Sequence, residues 1–276
     1  MAGLLLELSV GGVVWSAYAW PVNVCVLVGF LVFIAAVFLL RRRVYAFQFL
    51  GTSRAAIPAM VYAVVLTVVM GLTRQQADGT WLNSMLTFWP FVLTWVYVAV
   101  ILGVVSLGRV VRLRRSHGVR DVAFLLNHLG LFLALTTATL GNADMQRVRM
   151  IATEGEPEWR AFAQDGTVRE LPLAVTLKRF IMETYGDGSP KRFASEIQIL
   201  TRTRKHIEAT VDVNKPVEVE GWKVYQYDYD RQAGAMSRTS VLELVSDPWL
   251  PLVYTGIYMM LAGAVCMFIL GGRREE

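Results

Sequence analysis

Residues 19–40 read AWPVNVCVLVGFLVFIAAVFLL, and three arginines follow at residues 41–43. No charged side chain interrupts the run. About 20 consecutive apolar residues are enough to cross the hydrocarbon core of a bilayer as a helix. Residues 19–40 therefore predict a transmembrane helix, and the arginines predict that its C-terminal end faces the cytoplasm.

Four further apolar runs of similar length occupy residues 55–72, 86–107, 122–140 and 250–270. The predicted fold class is a multi-span α-helical membrane protein with an inserted, mainly β extracytoplasmic domain. Residues 1–141 form the N-terminal membrane region with four full spans, and residues 249–276 form the last span with a short cytoplasmic tail. Composition agrees, because 18% of the residues are charged, against roughly 25% in an average soluble domain.

Basic residues set the orientation of the spans, because they favour the cytoplasmic side of a membrane. Three clusters lie beside the apolar runs: Arg41, Arg42, Arg43 and Arg54; then Arg109, Arg112, Arg114, Arg115 and Arg120; then Arg273 and Arg274. Five spans place all three clusters on the inside. The same arrangement places residues 142–248 on the outside, which is the periplasmic face of an inner (cytoplasmic) membrane.

Residues 142–248 have the composition of a water-exposed domain, with 17 acidic and 15 basic side chains. Alternating apolar and polar residues at 170–179, 194–200, 206–213, 217–224 and 240–245 predict half-buried strands. Turn signals occur at residues 187–190 and 232–234. We therefore expect a small antiparallel sheet or sandwich in this β-rich domain.

The first ten residues leave two interpretations open. Residues 3–10, GLLLELSV, are apolar but too short to span a bilayer, and Gly11 and Gly12 follow them. They are either an interfacial segment or the outer half of a helix whose beginning precedes this sequence. The second interpretation is the one we favour.

Charge and cysteine content exclude several function classes. The net charge of +5 comes from the loops beside apolar runs, so it does not indicate nucleic-acid binding. Cys25 and Cys266 both lie inside apolar runs. The water-exposed domain therefore has no disulfide framework, no zinc motif and no thiol relay.

His128 stands out, because it lies inside the fourth apolar run. It follows Asp121, at the inner start of that run, by seven residues, which is roughly 10 Å along a helix at 1.5 Å per residue. An ionisable group at such a depth is a functional hypothesis by default. Neutral imidazole is a common axial ligand of haem iron, and the basic residues 109–120 suit haem propionates. His128 is therefore a candidate haem axial ligand; the alternative is a histidine hydrogen-bonded to a neighbouring helix.

Other polar residues have plainer interpretations. Asn127 is expected to be a packing residue, and His117 and His206 are expected to be solvated. Asp228 and Asp230 are two residues apart, which places them on one face of a strand. A catalytic carboxylate pair is possible there, but a solvated strand edge is the commoner outcome.

Five stretches together resemble the ResB family of cytochrome c biogenesis proteins, also called CcsB. They are FLLNHLGLF at 124–132, NADMQR at 142–147, PEWRAF at 157–162, VNKPVEVEGWKVYQYDYD at 213–230 and SDPWLPLVYTG at 246–256. The number of spans before the domain departs from the better-studied members.

This resemblance implies a subunit of the System II cytochrome c biogenesis complex. Such a subunit works with a CcsA-type membrane subunit to export haem across the membrane and to deliver it for covalent attachment to apocytochrome c. The cargo is haem b in transit, and His128 is implied as the histidine that holds it. The tryptophan-rich segment of CcsA does not occur here, so the resemblance implies a non-autonomous part of a holocytochrome c synthase.

Two other functions stay open at this point. The chain could be a structural scaffold for CcsA with no direct haem contact. It could also be an unrelated small-molecule transporter, but that function predicts polar residues along several spans, and the other runs are nearly free of charge.

Overall fold

The computed structural model describes residues 1–76, 80–116 and 118–271. The chain forms two compact units, Met1–Asp144 together with the chain from Trp249 onward, and Met145–Pro248. The first boundary therefore follows Asp144, where the sequence predicted it after residue 141. His117, Arg273 and Arg274, which entered the orientation and site predictions, lie outside the described residues.

The first unit is helical. Its described α-helices are α1 (Ala2–Val10), α2 (Val22–Leu40), α3 (Tyr45–Leu50), α4 (Ser53–Leu72), α5 (Trp89–Ser116), α6 (Val119–Gly141) and α7 (Leu250–Gly271). Within the described ranges, α2, α4, α5, α6 and α7 are long and apolar enough to cross a membrane. Together with the antiparallel sheet of the second unit, this confirms the predicted combination of several apolar helices and a β-rich insert.

The prediction of a basic loop between the third and fourth apolar runs was wrong. Helix α5 continues to Ser116, beyond the predicted end at residue 107, and α6 already begins at Val119. Arg109, Arg112 and Arg114 are therefore helical residues. Arginine and leucine are good helix formers, no proline intervenes, and cations are favoured near a helix C-terminus.

Helix α1 packs against the start of α5. The Glu7 carboxylate accepts a hydrogen bond from the backbone N–H of Trp89 at 3.0 Å, and the Trp89 indole donates to the Gly11 carbonyl at 2.9 Å. A carboxylate is favoured at a helix N-terminus, where backbone N–H groups lack partners. Glu7, the acidic residue of an apolar segment, thus caps α5.

Helices α6 and α7 approach each other so closely that side chains are excluded at three glycines. A Cβ atom on Gly256 would lie 2.5 Å from the Ala134 nitrogen, and one on Gly130 would lie 2.7 Å from the Gly256 oxygen. A Cβ on Gly263 would collide with the backbone nitrogen of Asn127. Small residues allow this close packing of helices in an apolar solvent.

Asp144 joins three segments of the helical unit just after α6 ends. Its carboxylate accepts hydrogen bonds from the Trp20 backbone N–H, the Asn23 side-chain amide and the Trp249 indole, each at 2.7 Å. Asn23 is fully buried at the start of α2, and Trp249 immediately precedes α7. Burial alone would raise the pKa of Asp144, but these three hydrogen bonds outweigh it and lower the pKa below its usual value.

The second unit is one antiparallel sheet of eight strands in the order β5-β4-β3-β2-β1-β8-β7-β6. The strands are β1 (Gln146–Thr153), β2 (Pro157–Ala163), β3 (Val168–Thr184), β4 (Pro190–Thr201), β5 (His206–Asp212), β6 (Val217–Val219), β7 (Trp222–Tyr229) and β8 (Thr239–Ser246). The run at 217–224, predicted as one strand, is two strands joined by a turn. Glu220 and Gly221 both have positive φ, which a two-residue hairpin of this twist requires.

Strands from distant positions in the sheet meet in a common core. The hydroxyl of Ser195 on β4 donates to the Gln226 side-chain oxygen on β7 at 2.6 Å and lies 2.8 Å from the Ser240 hydroxyl on β8. All three residues are buried. Because β4 and β7 lie near opposite ends of the strand order, the sheet must curl back on itself.

The α6–α7 contact predicts that valine lowers stability more at a glycine of this contact than at a glycine outside it. Gly263→Val should destabilise the helical unit by about 1–3 kcal/mol or more, because overpacking forces the helices apart. Gly29→Val is the matched control, since a Cβ at Gly29 of α2 meets nothing within 4 Å. Thermal unfolding in detergent, followed by tryptophan fluorescence, measures both, and equal unfolding temperatures for the two variants would contradict the close contact.

The hydrogen bonds of Asp144 predict a pH-dependent stability. A carboxyl with a lowered pKa stabilises the fold above its unfolded value of 3.8, and that stabilisation is lost as the pH falls through the folded value. Asp144→Asn should therefore lower stability by about 1–3 kcal/mol at neutral pH, and its difference from the wild type should shrink below about pH 4. Asp230→Asn, in an exposed turn, is the control in the same unfolding measurement. A difference that stays constant with pH would show that the ionised carboxylate is not the stabilising species.

Candidate functional site

His128 lies on α6 and stacks on Phe124, one helical turn earlier. The two ring centroids are 3.7 Å apart with an interplanar angle of 15°. The imidazole Nδ1 is 3.0 Å from the Phe124 carbonyl oxygen. The backbone and the ring of one residue, Phe124, thus fix the orientation of the imidazole, which is half-buried.

The partner of Nδ1 determines which nitrogen carries the proton. A carbonyl oxygen only accepts hydrogen bonds, so Nδ1 is the donor and Nε2 holds the lone pair in the neutral ring. Among the residues that the structure describes, Nε2 of His128 makes no hydrogen bond. An imidazole arranged in this way can give Nε2 to a metal, because a second hydrogen bond through the other nitrogen orients a ligating histidine.

The Phe124 ring also contacts a cationic side chain of α5. The guanidinium carbon of Arg109 lies 4.4 Å from the centre of the Phe124 ring. Arg109 also donates to the Asp121 carboxylate at 2.5 Å, and the Arg112 Nε atom is 3.7 Å from the same carboxylate. Asp121 lies in the first turn of α6, where the helix dipole favours an acid. The ion pair therefore joins the end of α5 to the start of α6.

A cleft of about 340 Å³ opens beside this ion pair. It is bounded by Arg41, Arg109, Arg112, Phe124, Val104, Val105, Gly51 and Gly108. Arg41 follows the last residue of α2, and its guanidinium carbon lies 3.4 Å above the Phe38 ring. The cleft thus combines three guanidinium groups with apolar walls, and it shares Phe124 with His128.

The remaining candidates have structural partners. Asn127 donates to the Met260 carbonyl of α7 at 3.1 Å, which is the packing role expected of it. His206 is exposed on β5, with Nδ1 3.4 Å from the Gln198 amide.

The two carboxylates that suggested a catalytic pair are each engaged nearby. Asp228 forms an ion pair with Arg231 at 3.2 Å. Hydrogen bonds from Arg231 and from the Tyr229 backbone lower the pKa of Asp228. Asp230 accepts the Gln232 N–H at 2.9 Å in the following turn, past the end of β7. Asp228 is therefore a half-buried residue near the end of β7, whereas Asp230 is exposed just past that end.

Three residues of this site were not singled out by sequence reasoning. Phe124 was quoted within a motif, but its spacing of four residues from His128 was the signal that the two rings would stack. Asp121 was used only as a depth marker, although an acid one turn into a helix beside a basic segment indicates an ion pair. Arg41 was counted only for orientation, because contacts between separate helices leave no trace in local spacing.

Residues 115–239 match the family model described as "ResB-like family". A curated relative, "Cytochrome c biogenesis protein CcsB" of Prochlorococcus marinus subsp. pastoris (strain CCMP1986 / NIES-2087 / MED4), is 28% identical over 116 residues. That alignment covers 42% of this chain and 26% of the relative. The chain thus spans only about a quarter of the length of the curated relative that it matches.

Among solved structures, "Cytochrome c Heme Lyase CcmF" aligns with 78% of this chain and 34% of its own, at a TM-score of 0.40 and 15% identity. A likeness at this score carries no argument about function. The family match does bear on the site, because its limits enclose helix α6 with His128 and strands β1 to β7. The resemblance drawn from the motifs is therefore confirmed, and this chain carries a ResB-like region that includes the candidate haem ligand.

Proposed function

We propose that this chain is a subunit of the System II cytochrome c biogenesis complex, in which it helps to export haem and to deliver it for attachment to apocytochrome c. One observation carries the proposal. The imidazole of His128, inside the ResB-like region, is oriented by Phe124 through Nδ1 and leaves Nε2 without a hydrogen bond among the described residues.

The chemistry of the cargo agrees with this arrangement. Haem has a large apolar face and two carboxylates, so its passage through a bilayer requires an apolar environment, an axial ligand and a place for negative charge. Helix α6 provides a candidate ligand in His128, and the adjoining cleft provides arginines. The iron chemistry belongs to the haem, whereas the protein supplies position and environment.

The proposed location is the inner membrane, with α2, α4, α5, α6 and α7 as spans. The basic ends of α2 and α5 face the cytoplasm in this topology, as the distribution of arginines favours. The β sheet then lies on the periplasmic face, beside the place where apocytochrome c receives its haem. A CcsA-type membrane subunit is the proposed partner, and this chain would be a non-autonomous part of the synthase.

A structural scaffold for CcsA is the second candidate. The favouring observation is that His128 already has a hydrogen bond and a stacking partner within α6, so the ring could serve packing alone. Both functions predict association with CcsA. Only the haem-handling function predicts that the imidazole itself determines how much haem the complex retains.

The test is His128→Ala in this chain co-expressed with a CcsA-type partner. The haem content of the purified complex, measured from the Soret band per mole of protein, should fall at least about tenfold, because even indirect partners of metal ligands have effects of that size. His206→Ala is the matched control: it removes an exposed imidazole from the sheet and should leave the haem content unchanged.

A second variant separates ligation from packing. His128→Gly should also lose haem, and added imidazole should restore the Soret band if Nε2 binds iron. Co-purification of the partner verifies that the complex remains assembled. Unchanged haem content and unchanged cytochrome c maturation in His128→Ala would reject direct haem handling and favour the scaffold.

A further inference from the structure

The cleft described above contains a cationic group with an unmet hydrogen bond. The Nη1 atom of Arg41 is buried and has no hydrogen-bond partner, although its guanidinium is held over Phe38. We infer that this cleft, the arginine cleft, binds the oxyanion head of an amphiphilic molecule, either a carboxylate or a phosphate.

Three of the residues that line the arginine cleft are cationic, namely Arg41, Arg109 and Arg112. The Asp121 carboxylate, 2.5 Å from Arg109 and 3.7 Å from Arg112, pairs with the last two. No salt bridge involving Arg41 occurs within residues 1–76, 80–116 and 118–271. A guanidinium fork matches the paired oxygens of carboxylate and phosphate groups. The missing partner of Arg41 is therefore an oxyanion.

The walls of the arginine cleft indicate that the anion is part of a larger apolar molecule. Val104 is buried behind the cleft, Phe124 forms another side, and Gly108 leaves its part of the wall without a side chain. A small inorganic anion would not use these apolar surfaces. An amphiphile could place its charged head at Arg41 and its apolar body along α5.

Two molecules have this chemistry. One is haem, whose propionates would occupy the cleft while Nε2 of His128 faces the iron, and this source rests on the proposed function. Phe124 supports it, because the same ring lines the cleft and stacks on His128. The other is an anionic phospholipid, whose phosphate would reach Arg41 from the surrounding bilayer.

The first arm of the test measures haem. The full chain with its CcsA-type partner is loaded with haem or with haem dimethyl ester, in which both propionates are blocked. If propionates occupy the arginine cleft, the wild-type complex should bind haem about tenfold more tightly than the ester, and Arg41→Gln should abolish the preference. Arg43→Gln is the matched control. Arg43 is exposed in the same segment, and its substitution removes one positive charge, as Arg41→Gln does.

The second arm measures lipid. The same variants are reconstituted into mixed phosphatidylglycerol and phosphatidylcholine bilayers, and bound phosphatidylglycerol is counted by native mass spectrometry. A loss of phosphatidylglycerol in Arg41→Gln, but not in Arg43→Gln, assigns the arginine cleft to a lipid. Gly108→Leu fills the cleft without changing any charge and should reproduce the loss in whichever arm responds.

The inference is overturned if Arg41→Gln and Gly108→Leu match Arg43→Gln in both arms while the complex stays assembled. This failure is distinct from a failure of the proposed function. A His128→Ala complex that keeps its haem would reject haem ligation by that residue, and the lipid arm would still test the arginine cleft.

Discussion

The close contact between α6 and α7 determines which way the rest of α6 faces. Gly130, Gly256 and Gly263 allow the two backbones to meet without intervening side chains, so α6 has little freedom to rotate about its axis. At about 100° per residue, Phe124 lies roughly a third of a turn from Gly130, and His128 lies nearly half a turn from it. The Phe124 ring faces α5, where it lies under the Arg109 guanidinium and lines the arginine cleft, and the His128 imidazole stacks on that ring.

Carboxylates anchor α6 at both ends. Asp121 binds arginines of α5 at its start, and Asp144 binds α2 and the residue before α7 just beyond its end. Both acids lie next to an apolar run, where ion pairs or hydrogen bonds stabilise the carboxylate. This arrangement explains how a helix that carries a half-buried imidazole in its middle can keep a single position, because the polar contacts at its ends and the glycine contact act on different parts of it.

Local sequence patterns predicted most helices and strands correctly. They did not predict every boundary of these elements. Uninterrupted apolar runs predicted the five long helices, and period-2 alternation predicted most strands, since both signals are contained in neighbouring residues. The extension of α5 through Arg109 and Arg112 was missed, because a cluster of arginines looks the same in a loop and at a helix C-terminus. The turn at Glu220 and Gly221 was missed, because apolar and polar residues alternate on both sides of it.

The site was only partly predictable for the same reason. His128 was visible as an ionisable residue inside an apolar run, and a four-residue spacing from Phe124 was present in the sequence. The sequence did not reveal the partners of Asp144 or the burial of Arg41 Nη1, because both depend on how separate helices pack. Glycines of α7 gave no signal of their own, since a glycine in an apolar run is ordinary until a second helix lies against it.

The two units differ in how far their polar groups have partners within the described residues. In the described part of the sheet, several charged side chains form ion pairs across neighbouring strands. Examples are Arg192 with Asp212 at 2.6 Å and Arg179 with Glu196 at 2.7 Å. Its buried polar groups satisfy one another in the contact of Ser195, Gln226 and Ser240. In the helical unit, by contrast, Nε2 of His128 and Nη1 of Arg41 have no hydrogen-bond partner among the described residues. Because a polar group buried without a partner costs free energy, the groups that a ligand would stabilise lie in the helices and not in the described part of the sheet.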